Sequence, residues 1–383
     1  MKARQDKDRL IIARLVSARE AAGYNLKEAA KALGFNNYQT LSDIEKGKRS
    51  MNAHELMSIA RLYRRDLLYF FEHDIAPDPK PLWRTSAAAD VVKPERVFLE
   101  HLEHYAELER LLRIQPHKFQ SPVLCTRQDF DRPGYGCATT LGHEVHRILD
   151  LGKRPASRLM NILEQTLRLR IFHLDLDQAV SGACVVDDNL GVGILINRGD
   201  KPWRRNYDLA HELFHVLTWN IFTPKEIGEG DKKTRPEKLA DAFASCLLLP
   251  ETALLEALRD ITTGGQIRII DLIELALEFE VSLEAVLWRL VNLGKLKRKD
   301  VETHLADPEV RELDHTLRQE KKGDEAPTQY PPRYVSLACR CLMEGVISRG
   351  VFAQYLGLER HEIDAVLAEK GFFEGRYEKI GVA

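Results

Sequence analysis

Leu209-Ala210-His211-Glu212-Leu213-Phe214-His215-Val216-Leu217 is the stretch on which the reading of this chain turns. Its two histidines stand at i and i+4, so on a helix both imidazoles leave one face about one turn apart, a spacing suited to gripping a single Zn²⁺ ion. Glu212 directly follows the first of them and is placed to take a proton from a water held there. Leu209, Leu213, Val216 and Leu217 give the same helix apolar contacts that anchor it in a core. Two imidazoles leave zinc one protein ligand short of a three-ligand site with an open fourth position.

Downstream lies Glu237-Lys238-Leu239-Ala240-Asp241-Ala242-Phe243-Ala244-Ser245-Cys246-Leu247-Leu248-Leu249-Pro250, with Pro236 just before it. Pro in a first turn and an acid beside it mark a helix N-terminus, and Pro250 ends the run. Glu237 and Asp241 are again i and i+4, opposite a stripe of Leu239, Phe243 and Leu247 that reads as core. Glu237 can be the third ligand, and Asp241 can accept the outer N–H of a metal-bound histidine and fix its tautomer. Alone, these two acids would read as a solvated helix face.

The whole-chain numbers exclude more than they identify. At 383 residues the chain holds two to four modules. A formal net charge of −2 carries no sign of a protein wrapped along nucleic acid. No apolar stretch approaches the roughly 18 residues of a membrane span, and the N-terminus lacks the apolar core of a signal peptide. The expectation is a cytoplasmic protein with no membrane partner. Six cysteines are scattered without a C-x-x-C pair and read as reduced, mostly buried thiols. Cys339 and Cys341 would point to different helix faces, so no metal site is expected there.

The average charge hides an asymmetry. Residues 1–72 hold 14 Lys and Arg against 9 Asp and Glu, a head of +5 on a remainder of −7, which points to a nucleic-acid-binding appendage. Prolines 77, 79, 81 and 94 suggest a linker over 73–95, and a run of charges, Gly and Pro suggests another over 319–332. The expected domains are 1–72, 96–318 and a small helical module at 333–383. Within the body, residues 98–112 and 156–167 have helical periodicity. Residues 169–174, 180–186 and 191–196 are short, β-branched-rich runs that suit a small antiparallel sheet, and everything periodic after Tyr207 is helical. The fold class is α+β, mainly α.

Residues 10–22, 26–33, 38–46, 53–62 and 66–71 of the head read as five short helices. Asn25 with Glu28 forms a capping-box start, Gly34 marks the turn before the third helix, and Gly47 ends it. A helix, a tight turn and another helix form the DNA-reading unit. Two other histidine pairs, His101/His104 and His143/His146, have no evident third ligand and read as surface residues. The loop 223–235 reads as a plain solvent loop, a cover for the cleft being the alternative. The pair of helical runs in 266–293 reads as structural packing.

The segment Arg204-Arg205-Asn206-Tyr207-Asp208-Leu209-Ala210-His211-Glu212-Leu213-Phe214-His215, followed by Glu237-x-x-Ala240-Asp241-x-Phe243-Ala244-x-x-Leu247-Leu248-Leu249-Pro250, resembles the ImmA/IrrE family of metallopeptidases. The strand Gly193-Ile194-Leu195-Ile196-Asn197-Arg198 and Ser181-Gly182 match its layout too, and the likeness covers roughly residues 95–295. The resemblance implies a zincin-like fold with Zn²⁺ on His211, His215 and Glu237, Glu212 as general base and Asp241 behind a ligand. It also implies zinc-activated water cleaving a repressor or antitoxin-like partner protein. The family often has Gly where Phe214 stands, a position expected to face away from the metal. For the oxyanion, Tyr207, Arg204, Arg205 and His173 are unranked candidates.

Ala29-Ala30-Lys31-Ala32-Leu33-Gly34 and Leu41-Ser42-Asp43-Ile44-Glu45-Lys46-Gly47-Lys48-Arg49 resemble the XRE family, related to lambda repressor and Cro. Leu41 and Ile44 would then be core, Asn37, Tyr38, Gln39 and Ser42 would face the major groove, and Lys46, Lys48 and Arg49 would suit phosphates. Gly34-Phe35-Asn36-Asn37 makes the turn one residue longer than usual, and Leu26 stands where many members have Gln. The implied partners are operator DNA near the protein's own gene and a protein substrate, and a homodimer is an allowed assembly. The rival reading is a repressor whose peptidase-like domain is inactive and serves as a sensor or protein-interaction domain.

Overall fold

The computed structural model of the chain describes residues 2–65, 67–71, 79–85, 90–228, 233–262, 266–320 and 327–372. It divides into two compact units, Met1–Lys80 with Asp90–Glu107, and Pro81–Ala89 with Leu108–Ala383.

The N-terminal unit contains α1 (Lys2–Ala21), α2 (Leu26–Ala32), α3 (Tyr38–Glu45), α4 (Ala53–Leu62), a 3₁₀ turn at Leu67–Phe70 and most of α5 (Val92–Leu111). Asparagine starts three of these helices. Asn25 and Asn52 form capping boxes with Glu28 and Glu55, and the Asn37 side chain accepts from the Thr40 N–H. Leu15, Ala18, Leu41, Ile44, Ile59, Tyr63 and Phe70 meet in the core. The expected fifth helix is instead one 3₁₀ turn, which follows Arg64 at a left-handed φ of 51°. Asp66, where it was expected to start, lies outside the described residues.

Two expectations about side-chain exposure also fail in this unit. Ser42 is 3% exposed and sits with Leu41, Ile44 and Glu45 on the buried face of α3, so it does not face a groove. Its small side chain fits under the helix, and consecutive inward residues make that face broader than two apolar positions suggest. His101 is buried as well, on the face of α5 that carries Phe98, Leu102 and Tyr105. Burial first, then the neighbouring His104 and Arg64, push its imidazole down to about 3.

Arg19 on α1 grips buried Glu45 on α3 with two hydrogen bonds, of 2.8 and 3.2 Å. Removing one partner of such a pair leaves an uncompensated buried charge. Arg19→Met should therefore destabilise this unit by about 3 kcal/mol, whereas Arg19→Met with Glu45→Leu should recover most of the loss. Urea unfolding of the full-length chain followed by circular dichroism measures both.

In the second unit a four-stranded sheet has the order β1 (Leu82–Thr85), β3 (Val180–Asp187), β4 (Gly191–Asn197), β2 (Arg170–Leu174). β3 pairs antiparallel with β1 and with β4, but β2 runs parallel to β4, with Ile171 opposite Ile194. The sheet is thus mixed and not purely antiparallel. The connection 175–179 carries the chain past β4 to β3. Asn197 at the end of β4 pins that crossing, donating to the carbonyls of Val180 (2.8 Å) and Asp177 (3.1 Å). Every residue of β2 is buried, as expected of a strand covered on both faces.

The helices of this unit are α6 (Arg127–Asp131), α7 (Gly136–Ile148), α8 (Ala156–Thr166), α9 (Pro202–Leu217), α10 (Pro224–Ile227), α11 (Arg235–Leu248), α12 (Glu251–Ile261), α13 (Ile269–Glu278), α14 (Leu283–Asn292), α15 (Arg298–Ala306), α16 (Pro308–Glu320), α17 (Pro332–Met343), α18 (Arg349–Leu356) and α19 (Ile363–Glu369). α9 lies on β3 and β4, and α11 packs between α9 and α7. α13 and α14 pack together, and α14 also touches α11, in keeping with the packing role read from 266–293.

The compact units divide the chain elsewhere than the expected boundaries. The stretch expected to be a linker at 73–95 contributes β1 to the sheet and the first turn of α5, while 72–78 and 86–89 lie outside the described residues. The C-terminal helices belong to the same unit as the body, and a backbone hydrogen bond shows why. His173 of β2 donates its N–H to the carbonyl of Gln329 (3.0 Å), and Tyr334 meets Phe172 edge-on at 5.7 Å. Residues 327–334 thereby cover the outer side of β2, an edge that would otherwise present unpaired backbone groups. Residues 321–326 and 373–383 lie outside the described residues.

Candidate metal centre

α9 begins with Pro202 in its first turn and is buried from Asp208 to Leu217. Its apolar side chains enter the core with Phe214, which stacks on Phe222 and packs edge-on to Phe130 and tilted to Phe243. α11 also has Pro in its first turn, at Pro236, and packs Leu239, Phe243 and Leu247 inward. The i, i+4 faces of the two helices therefore oppose each other. His211 Nε2 lies 3.2 Å from Glu237 Oε2, and His215 Nε2 lies 3.0 Å from Glu237 Oε1. The two Nε2 atoms are themselves 3.2 Å apart. Among the described residues these three form the one cluster of metal-ligand type.

His211 Nδ1 is 3.1 Å from Asp241 Oδ1. A proton held on Nδ1 for that contact leaves His211 Nε2 as a lone pair, which meets His215 Nε2 and the Glu237 carboxylate at a point where a cation fits. With ligand bonds of about 2.0–2.2 Å at tetrahedral angles, donor atoms stand about 3.3 Å apart, so the set fits zinc. His215 Nδ1 has no hydrogen-bond partner among the described residues.

Glu212 is 1% exposed and lies against β3. A Cβ built on Gly182 would come within 3.5 Å of Glu212 Cγ and 2.7 Å of the Leu195 carbonyl, so this glycine lets the helix approach the sheet. Glu212 Oε1 is buried with no hydrogen-bond partner among the described residues. Burial pushes the Glu212 carboxyl up to about 7, although His215 and Arg84 pull it down. Burial alone would raise Glu237 too, but the imidazoles of His211 and His215 beside it outweigh that and hold it far below the usual carboxylate range. Asp241 is likewise lowered against the effect of burial, through His211 and Lys233.

Two residues near the site were not singled out from the sequence. Arg84 on β1 forms an ion pair with Asp208 and reaches to 3.9 Å from Asp241. Lys233 stands 2.6 Å from Asp241 Oδ2, at the end of the loop whose residues 229–232 lie outside the described ones. For Arg84 the available signal was the Leu82-Trp83-Arg84-Thr85 run, too short to stand out beside three prolines. The candidates for an oxyanion donor have other tasks. Tyr207 donates to the Asp241 carbonyl at 3.0 Å, Arg204 to Ser181 Oγ at 2.9 Å, and Arg205 to the Asp200 carbonyl. His173 is buried in β2. His146 bonds the Gly152 carbonyl at 2.8 Å, and neither it nor His143 joins a metal-type cluster among the described residues.

On the head, Tyr38, Gln39, Lys46, Lys48 and Arg49 are exposed. Gln39 donates to Asp43 (3.0 Å) and Arg49 pairs with Glu55 (2.7 Å), while Lys27 lies 5.9 Å above the Tyr38 ring. Asn37 is exposed, but its side-chain oxygen is engaged as the α3 cap.

Residues 164–291 match the model of the M78 peptidase family, described as an IrrE N-terminal-like domain, and residues 15–70 match a helix-turn-helix model. The chain therefore joins a helix-turn-helix DNA-binding domain to a domain of a metallopeptidase family, for which a metal ion is implied. No curated protein and no solved structure matches the chain. No helix among the described residues is long and apolar enough to cross a membrane.

The contact of Asp241 Oδ1 with His211 Nδ1 leads to the expectation that Asp241→Asn lowers zinc affinity by about 10- to 100-fold. Competition against a chromogenic chelator measures this.

Proposed function

We propose that the protein is a DNA-binding regulator with a zinc endopeptidase that cuts a repressor or antitoxin-like partner protein. The convergence of His211 Nε2, His215 Nε2 and the Glu237 carboxylate within 3.2 Å, with Glu212 beside them, carries this reading. His211, His215 and Glu237 would hold the ion, which supplies Lewis acidity toward a water and a peptide carbonyl. Glu212 accepts the proton of the attacking water and returns it to the leaving amine, a two-way task suited to a carboxyl raised by burial. Asp241 keeps His211 oriented.

For DNA, Tyr38 and Gln39 of α3, with Asn37 at its start, are the proposed groove-facing residues, and Lys46, Lys48 and Arg49 the phosphate contacts. The exposure of these side chains supports the assignment. Ser42 is left out because it is buried. The operator is proposed to lie near the protein's own gene.

Full-length protein and its Glu212→Gln variant should both bind about one zinc, and only the former should cut a co-purified or neighbouring-gene partner protein. Equal cleavage by both removes Glu212 as the base. Zinc binding without cleavage by either leaves the sensor or interaction reading. Gel shifts with the upstream region should weaken with salt. Lys48→Ala should reduce the salt slope by about 1, and Gln39→Ala should cost about 1 kcal/mol or more on the preferred sequence.

A further inference from the structure

We propose that Arg84 is a positioning residue of the metal centre: delivered by β1, its guanidinium ties Asp208 of α9 to Asp241 of α11 and so fixes the orientation of His211. The inference rests on the metal reading above and goes beyond it, since residues 82–85 lie outside the matched segment 164–291.

Three observations carry it. Asp208 precedes His211 by one turn and is 1% exposed, and its Oδ1 is paired with Arg84 Nη1. The other amino group of the same guanidinium, Nη2, lies 3.9 Å from Asp241 Oδ1, the oxygen that meets His211 Nδ1 at 3.1 Å. β1 pairs Leu82, Trp83 and Arg84 with Cys184, Ala183 and Gly182 of β3, and the register shifts just after Arg84. The planar fork of Arg suits a bridge between two carboxylates on different helices, which the single ammonium of Lys does not reproduce. Glu212 and Glu237 also lie within the field of Arg84, so a cation here offsets part of the repulsion among four acids. The guanidinium meets the Asp241 oxygen that contacts His211 Nδ1, not a nitrogen of the ligand set, so Arg84 acts through Asp241 and is not itself a ligand.

A merely structural Arg84 would serve only to neutralise Asp208. The double variant Arg84→Met with Asp208→Leu separates the two roles, because it leaves no unpaired buried charge and should fold when Arg84→Met alone does not. In full-length protein, we expect the double variant to unfold near the parent temperature without metal. Its zinc affinity should still fall at least about tenfold, with an altered visible absorption spectrum after cobalt substitution. Adding Asp241→Asn to it should cause little further loss, since both changes remove the same constraint. Arg84→Lys should bind zinc with an affinity between the two. Parent-like affinity and spectrum in the double variant overturn the proposal, as does a further loss from Asp241→Asn as large as it causes in the parent. A parent protein that takes up no zinc overturns the metal reading itself, which keeps the two failures apart.

Discussion

Charge compensation in a small volume governs this structure. Asp208, Glu212, Glu237 and Asp241 crowd the facing sides of α9 and α11, and two of them, Asp208 and Glu212, are almost wholly buried. Desolvated carboxylates at this density repel one another and are stable only against matching positive charge. Arg84 and Lys233 supply two cationic groups from outside the two helices, and the convergent ligand set leaves a place for a third. The packing of α9 on the sheet, the glycine at 182 and the helix-starting prolines at 202 and 236 all serve to bring those acids together.

What the sequence disclosed followed from periodicity. His211/His215 and Glu237/Asp241 are pairs whose relation is fixed by one helical turn, so their faces could be read before any tertiary structure was known. Their meeting was an inference from chemistry, since zinc needs a third ligand. Arg84 had no comparable signature. Its importance comes from pairing between β1 and β3, strands about a hundred residues apart in the chain, and no local pattern encodes such a distance. The same limit explains β2, whose apolar run marks a strand but not whether its neighbour is parallel.

Errors in the head came from treating polarity as exposure. Ser42 is small enough to sit beneath α3. His101 shows the same on α5, where it is buried on the face that carries Phe98, Leu102 and Tyr105. In each case the deciding partner lies on another element or the decisive property is volume, and neither is carried by hydropathy. The asparagine caps, by contrast, were legible to the extent that they are local, as Asn25 and Glu28 demonstrate.

The chain passes between the two units three times, because Pro81–Ala89 belongs to the second while the residues on both sides belong to the first. The units are interleaved and not strung in series. No single break in the backbone separates them whole. A break after residue 107 takes β1 away with the head and leaves β3 with an open backbone edge; a break before residue 81 leaves residues 90–107 attached to the body. Recombination that exchanges heads among such proteins must therefore carry the strand across with the head, or find a new head whose own chain supplies one.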